Sequence, residues 1–188
     1  NAGLFGSIGR FDRTNSLLWK KTFEINTFGT YLVSKHLLPL LLKSSVKKII
    51  NFSGGGAFNS FPNYSAYAVS KAAVVRLSEI IADELADEGV RVNCVAPGFV
   101  ATEIHDSTLS ASKKIAGDHY EVTKAKLKTG SVPMEVVVNC IKFLISEKAN
   151  GLTGKTISAN FDKWGSEEFQ NSIELINNSD LYTMRRTN

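Results

Sequence analysis

Tyr67 and Lys71 stand four residues apart, the spacing at which two side chains project from one face of a helix. Together they form a candidate proton-transfer pair. A phenol ordinarily titrates near 10 and is a poor acid–base group at neutrality. An ammonium at roughly 4 Å favours the phenolate by up to about 4 kcal/mol at an effective dielectric near 20. At about 1.36 kcal/mol per unit, the phenol pKa is then expected to fall by at most two to three units. Tyr64 is an internal contrast, since Ala68 stands four residues after it. Taken alone, the pattern Y-x-x-x-K also fits a partly buried tyrosine beside a surface lysine.

The elements that must position this pair alternate along the chain. Residues from about Ser16 to Leu42 read as helical, with Leu17, Phe23, Ile25, Phe28, Leu32, Leu37 and Leu38 forming a broad apolar face. Val46 to Phe52 is a β-branched and aromatic run that ends at Ser53-Gly54-Gly55-Gly56, hence a strand with a glycine-rich exit. Pro62 and Asn63 open an alanine-rich helix through about Asp87, stopped by Gly89. Val90 to Val95 is a second strand, closed by Pro97-Gly98. A polar, lysine-containing stretch runs from Glu103 to Lys128, a helix from Val132-Pro133 to about Ser146, and a short strand from Lys155 to Ala159. Alternating strands and helices imply crossover connections and parallel pairing. Continuous apolar strands fit a sheet covered on both faces. In such sheets ligands sit beyond the carboxyl ends of the strands, here Ser53–Gly56 and Pro97–Thr102.

The motifs also occur as a set. Asn1-Ala2-Gly3, Asn26, Ile49–Ser53, Tyr67-Ala68-Val69-Ser70-Lys71 and Asn93-Cys94-Val95-Ala96-Pro97-Gly98 through Thr102 resemble, in order and spacing, the short-chain dehydrogenase/reductase family. The resemblance covers roughly Asn1 to Asn160. It implies a Rossmann-like doubly wound α/β domain, with residues 1–188 as its C-terminal part. It also implies an oxidoreductase that moves hydride between NAD or NADP and a small-molecule carbonyl or alcohol. By the resemblance Tyr67 is the general acid/base, Lys71 tunes it and holds the nicotinamide ribose, and Asn26 anchors a proton-relaying water. Asn1 lies by the cofactor, Val100 (through its backbone) and Thr102 hold the carboxamide, and Pro97-Gly98 shapes the turn. Family members pair as homo-oligomers, dimers or tetramers, through helices like those around Asn26 and Tyr67.

Two departures stand out. The family commonly places a substrate-binding serine second in a Ser-Ser pair, but here the pair reads Ser53-Gly54. A one-residue offset at a strand end turns a side chain to the other face. Three readings stand: Ser53 is rotated into place by the glycines, another donor serves, or the site is weakened, at a cost on the order of 10²–10³ in rate. The second departure is that the family's first β-α-β-α-β half, with its glycine-rich pyrophosphate turn, is absent. The chain opens on Asn1 rather than Met, and is expected to be a fragment. A non-catalytic nucleotide-binding or scaffold relative, or a truncated product without a working cofactor site, are therefore the alternatives.

Composition narrows the classes further. At 43% hydrophobic and 21% charged, the 188 residues read as an ordinary globular domain. The net charge of +4 lacks the dense basic stripe of a nucleic-acid binder. No run approaches the roughly 20 apolar residues of a membrane span. Two well-separated cysteines, Cys94 and Cys140, in apolar surroundings point to a reducing compartment, hence the cytoplasm. His36, His105 and His119 show no ligand spacing, so no metal is expected. By the resemblance His105 and His119 fall in the segment that caps the substrate site; they read as solvated residues of that segment, with a substrate contact as the alternative. Lys113, Lys114, Lys124, Lys126 and Lys128 are interleaved with acids and read as mixed polar surface. Phe161, Trp164 and Phe169 in the tail fit either the domain's own core or a subunit contact.

Overall fold

The computed structural model describes residues 3–185. Three strands, β1 (Lys48–Phe52), β2 (Arg91–Ala96) and β3 (Thr156–Ser158), form a parallel sheet in the order β1-β2-β3. Lys48 stands opposite Arg91, and Cys94 opposite Thr156. Each connection is a crossover that returns through helices, as parallel pairing requires.

Strand parity sorts the sheet faces. Ile49 packs with Val90, Val92 and Leu41 on one face, while Ile50, Phe52 and Val95 pack with Cys140, Leu144 and Ile157 on the other. Helices α1 (Ser16–Phe23), α2 (Gly29–Leu41) and α3 (Ser65–Glu84) belong to the first layer, and α7 (Met134–Ile145) covers the second. Helices α8 (Glu167–Asn171) and α9 (Ile173–Asn177) close the second core through Phe169, Ile173 and Ile176. The described residues thus form a Rossmann-like α/β layer structure with helices on both faces.

The long helix expected from Ser16 to Leu42 is not continuous. Asn15 caps α1 by accepting from Leu18 N at 2.9 Å, and the chain then winds as a π-helix over Glu24–Phe28 before α2 begins. Such insertions recur at functional sites. An apolar 3.6-residue pattern tolerates one wider turn, so periodicity carries no sign of it. The polar stretch from Glu103 to Lys128 is helical too: α4 (Asp106–Ser110), α5 (Ser112–Ala116) and α6 (His119–Lys128). Of the tail aromatics, Phe161 is exposed, whereas Trp164 and Phe169 pack on Phe143 of α7.

Candidate active site

Tyr67 and Lys71 occupy the first two turns of α3, beside the exit of β1. Lys71 is buried and its Nζ donates to the carbonyl of Phe52, the last residue of β1, at 3.0 Å. The pair therefore lies at the carboxyl end of the sheet, as expected. Its electrostatics do not follow expectation. The Lys71 ammonium stands 5.8 Å from the centre of the Tyr67 ring and is turned to the carbonyl. Tyr67 is 8% exposed, and burial, which penalises the phenolate, pushes its pKa up to about 12. The same desolvation lowers the pKa of Lys71, against a smaller opposing effect from Cys94.

Phe5 does much of this burying. Its ring meets Tyr67 edge-on at 4.7 Å and Tyr64 at 5.3 Å. Phe5 follows the Asn1-Ala2-Gly3 motif and was missed in the sequence; an aromatic beside a motif carries no signal of which ring it covers. Tyr64 has no lysine four residues after it, and its hydroxyl donates instead to Thr108 Oγ1 at 2.9 Å.

Asn26 is 1% exposed, at the centre of the π-helical turn. Its amide Nδ2 donates to Leu4 O and to Ser70 Oγ, both at 2.9 Å, and its Oδ1 accepts from Leu4 N at 3.0 Å. Both amide donors are thereby used. Ser70 in turn donates to the carbonyl of Tyr67 at 2.7 Å. Asn26 thus ties the N-terminal segment to the helix turn that carries Tyr67.

Ser53 and Gly54 separate as strand parity dictates. Asn51 reaches Ser78 of α3 at 2.8 Å, and Ser53, two residues on, is buried with its Oγ lacking any hydrogen-bond partner among the described residues. Ser53 therefore makes no hydrogen bond to Tyr67 or Lys71. Gly54 is the residue that meets Tyr67: a Cβ built on it would stand 2.2 Å from the phenol oxygen.

Beyond β2, Pro97-Gly98 makes the turn. Gly98 has φ +75, and a Cβ there would meet Val132 Cγ2 at 2.9 Å, so both conformation and space require glycine. Thr102 is exposed and precedes the short 3₁₀ turn Glu103–His105. The Val100 carbonyl accepts from His105 Nε2 at 3.0 Å. A carbonyl only accepts, so Nε2 carries the proton, and Nδ1 is left buried without a partner among the described residues. His105 is buried rather than solvated, stacked on Phe99 at 3.9 Å. His119 packs edge-on against Phe61 at 4.7 Å and Tyr64 at 5.1 Å. Burial lowers the pKa of both histidines. The segment over the site is thus pinned by aromatic contacts, while its lysines face outward; Lys113 pairs with Glu121 at 3.2 Å. Asn1 lies outside the described residues.

Cys94 and Cys140 are buried free thiols, raised by burial to about 11 and about 12. Among the described residues no group of three or more His, Cys, Asp or Glu could hold a metal ion, and no helix is long and apolar enough to cross a membrane.

The family comparison agrees with this architecture. Residues 1–161 match the model described as enoyl-(acyl carrier protein) reductase. The chain belongs to the short-chain dehydrogenase/reductase family. It is 36% identical over 162 residues to the short chain dehydrogenase mpl6 of Monascus purpureus, covering 86% of this chain and 51% of that one. It is 33% identical over 150 residues to the 3-oxoacyl-[acyl-carrier-protein] reductase FabG of Aquifex aeolicus, covering 80% and 58%. A short chain dehydrogenase of Escherichia coli CFT073 complexed with NADPH superposes with a TM-score of 0.70 at 26% identity, over 85% of this chain and 60% of that one. The chain spans about half the length of the curated relatives it matches.

Proposed function

We propose that this chain carries the proton-transfer half of a nicotinamide-dependent oxidoreductase acting on a small-molecule carbonyl or alcohol. The observation that carries this reading is the placement of Tyr67 and Lys71. They share one face of α3, and Lys71 is anchored to the last carbonyl of β1, at the carboxyl end of a parallel sheet. The fit to a nicotinamide cofactor rests on Lys71: a buried ammonium with three donors spends one on Phe52 O, leaving two for ribose hydroxyls. Val100 and Thr102 follow the carboxyl end of β2 and would hold the carboxamide, the Val100 carbonyl keeping a second lone pair beside its bond from His105 Nε2. NAD or NADP supplies or accepts the hydride when bound.

Tyr67 then gives its proton to the carbonyl oxygen in reduction, or takes one from the alcohol in oxidation. Lys71 raises the phenolate population only if it swings from Phe52 O toward the phenol. Asn26 and Ser70 hold the helix turn that aims Tyr67, and Ser53 supplies no donor in the arrangement described. Replacing Tyr67 by Phe should lower turnover by about 10²–10⁴-fold while leaving the fold intact. The check is nicotinamide absorbance with a panel of carbonyls and alcohols; undiminished turnover in Tyr67→Phe overturns the assignment.

Gly54 and the high phenol pKa favour one second reading, a relative that binds nucleotide without turnover. Cofactor binding without turnover across the panel would select it, and a folded chain that binds no cofactor would instead select a product lacking a cofactor site. The buried free thiols support a reducing compartment, the cytoplasm.

A further inference from the structure

On the reading that Tyr67 is the acid–base group, we propose that Gly54 is its positioning residue: the volume left by the missing side chain at 54 is the seat of the phenol oxygen. The three glycines after β1 have separate neighbours. A Cβ on Gly55 would make only ordinary contact with the Phe61 ring, at 3.5 Å. Gly56 has φ +83 and would meet Ala68 Cβ at 2.6 Å, so it serves the turn and the packing of α3. Gly54 alone of the three faces the pair: a Cβ there would lie 2.2 Å from Tyr67 Oη, 2.9 Å from its Cζ and 3.1 Å from Lys71 Cγ.

Its backbone does not fall in the left-handed region, so conformation does not demand glycine. Space does. A Cβ essentially never comes within 3.0 Å of a non-bonded heavy atom, and a phenol ring held by Phe5 on one side has little freedom to yield. Seating the oxygen against the Gly54 backbone also keeps it out of water, which is why the phenol holds its proton so far above neutrality. A serine at 54, the residue similar enzymes carry there, would bring the same Cβ into the same space. In this chain's arrangement that Cβ would take the phenol from its seat. Glycine at 54 and the buried position of Tyr67 are therefore one feature.

The test compares Gly54→Ala, Tyr67→Phe and the double variant by thermal unfolding, with phenolate absorbance following the tyrosine titration in the single variant. Gly54→Ala should lower the unfolding temperature, and Tyr67→Phe, which deletes the atom in collision, should recover most of that loss in the double variant. In Gly54→Ala the phenol should also titrate about one unit or more lower, toward the ordinary value near 10, as the ring is pushed toward solvent. A Gly54→Ala chain that folds only when Tyr67→Phe accompanies it is the same result in stronger form. An equal loss in both backgrounds, failure to fold in both included, or an unmoved phenol titration overturns the seat. Neither readout needs turnover. Failure of the acid–base reading would leave the coupling standing, and absence of the coupling would leave the acid–base reading of Tyr67 standing.

Discussion

At the scale of single residues, the phenol of Tyr67 keeps its proton because its surroundings, Phe5, Gly54 and the end of β1, solvate a neutral hydroxyl far better than a phenolate. Its folded-state pKa of about 12 lies above the ordinary value near 10 that it would have unfolded. A raised folded pKa means that this stabilisation is complete below the unfolded value and is lost as pH rises through the folded one. Between pH 10 and 12 the chain should lose about 2–3 kcal/mol of unfolding free energy through this group alone. Urea unfolding of wild type and Tyr67→Phe across that window checks it, since other tyrosines raised by burial, Tyr64 and Tyr182, contribute to both chains and cancel. Equal slopes in the two chains would contradict the assignment. That Tyr67 and Lys71 share a face was legible in the sequence, because four-residue spacing on a helix is local geometry. The direction of the phenol's shift was not. It is set by the Phe5 ring and the β1 exit, far away in sequence, and by a lysine that prefers a strand-end carbonyl.

Elements show the same division between local and distant causes. Strand parity alone separates Ser53 from Gly54, and helix and strand order follow from apolar periodicity. The winding of Glu24–Phe28 and the helices between Asp106 and Lys128 do not, since one is a single added residue per turn and the other has few apolar residues to mark a face. The tail is still less legible, because one buried carboxylate on a distant helix organises it. Thr156 N of β3 donates to Tyr182 O at 2.8 Å, so the chain passes along the outer edge of β3. Glu79 of α3, 5% exposed, then accepts from Met184 N at 2.7 Å and from Arg185 Nη1 at 3.0 Å, and pairs with Arg76. Met184 packs against Ala57, Val74, Val75 and Cys94. Glu79→Ala removes the acceptor for these donors and should cost about 1–3 kcal/mol. It should also speed tryptic cleavage at Arg185, while Tyr67 and Lys71 stay in place. Unchanged urea midpoint and cleavage rate would show that the tail is held by Met184 packing alone.

Across the whole molecule, one described surface gathers exposed apolar side chains on consecutive elements. Leu17 is 80% exposed and Leu40 66%, with Phe28, Val33 and Leu37 about half exposed. These five belong to α1, the π-helical turn and α2, the elements that support Asn26. Single exposed apolar residues are ordinary, but several on consecutive elements mark a contact surface. Two copies of such a face close most simply as a two-fold dimer. We therefore expect a homodimer at micromolar concentration, read as twice the chain mass by light scattering. Leu37→Lys with Leu40→Lys puts two charges at the contact and should return the chain to monomer without loss of helical content. A wild-type chain that is monomeric at that concentration sinks the pairing. The surface would then have to be covered by something other than a second copy of this chain.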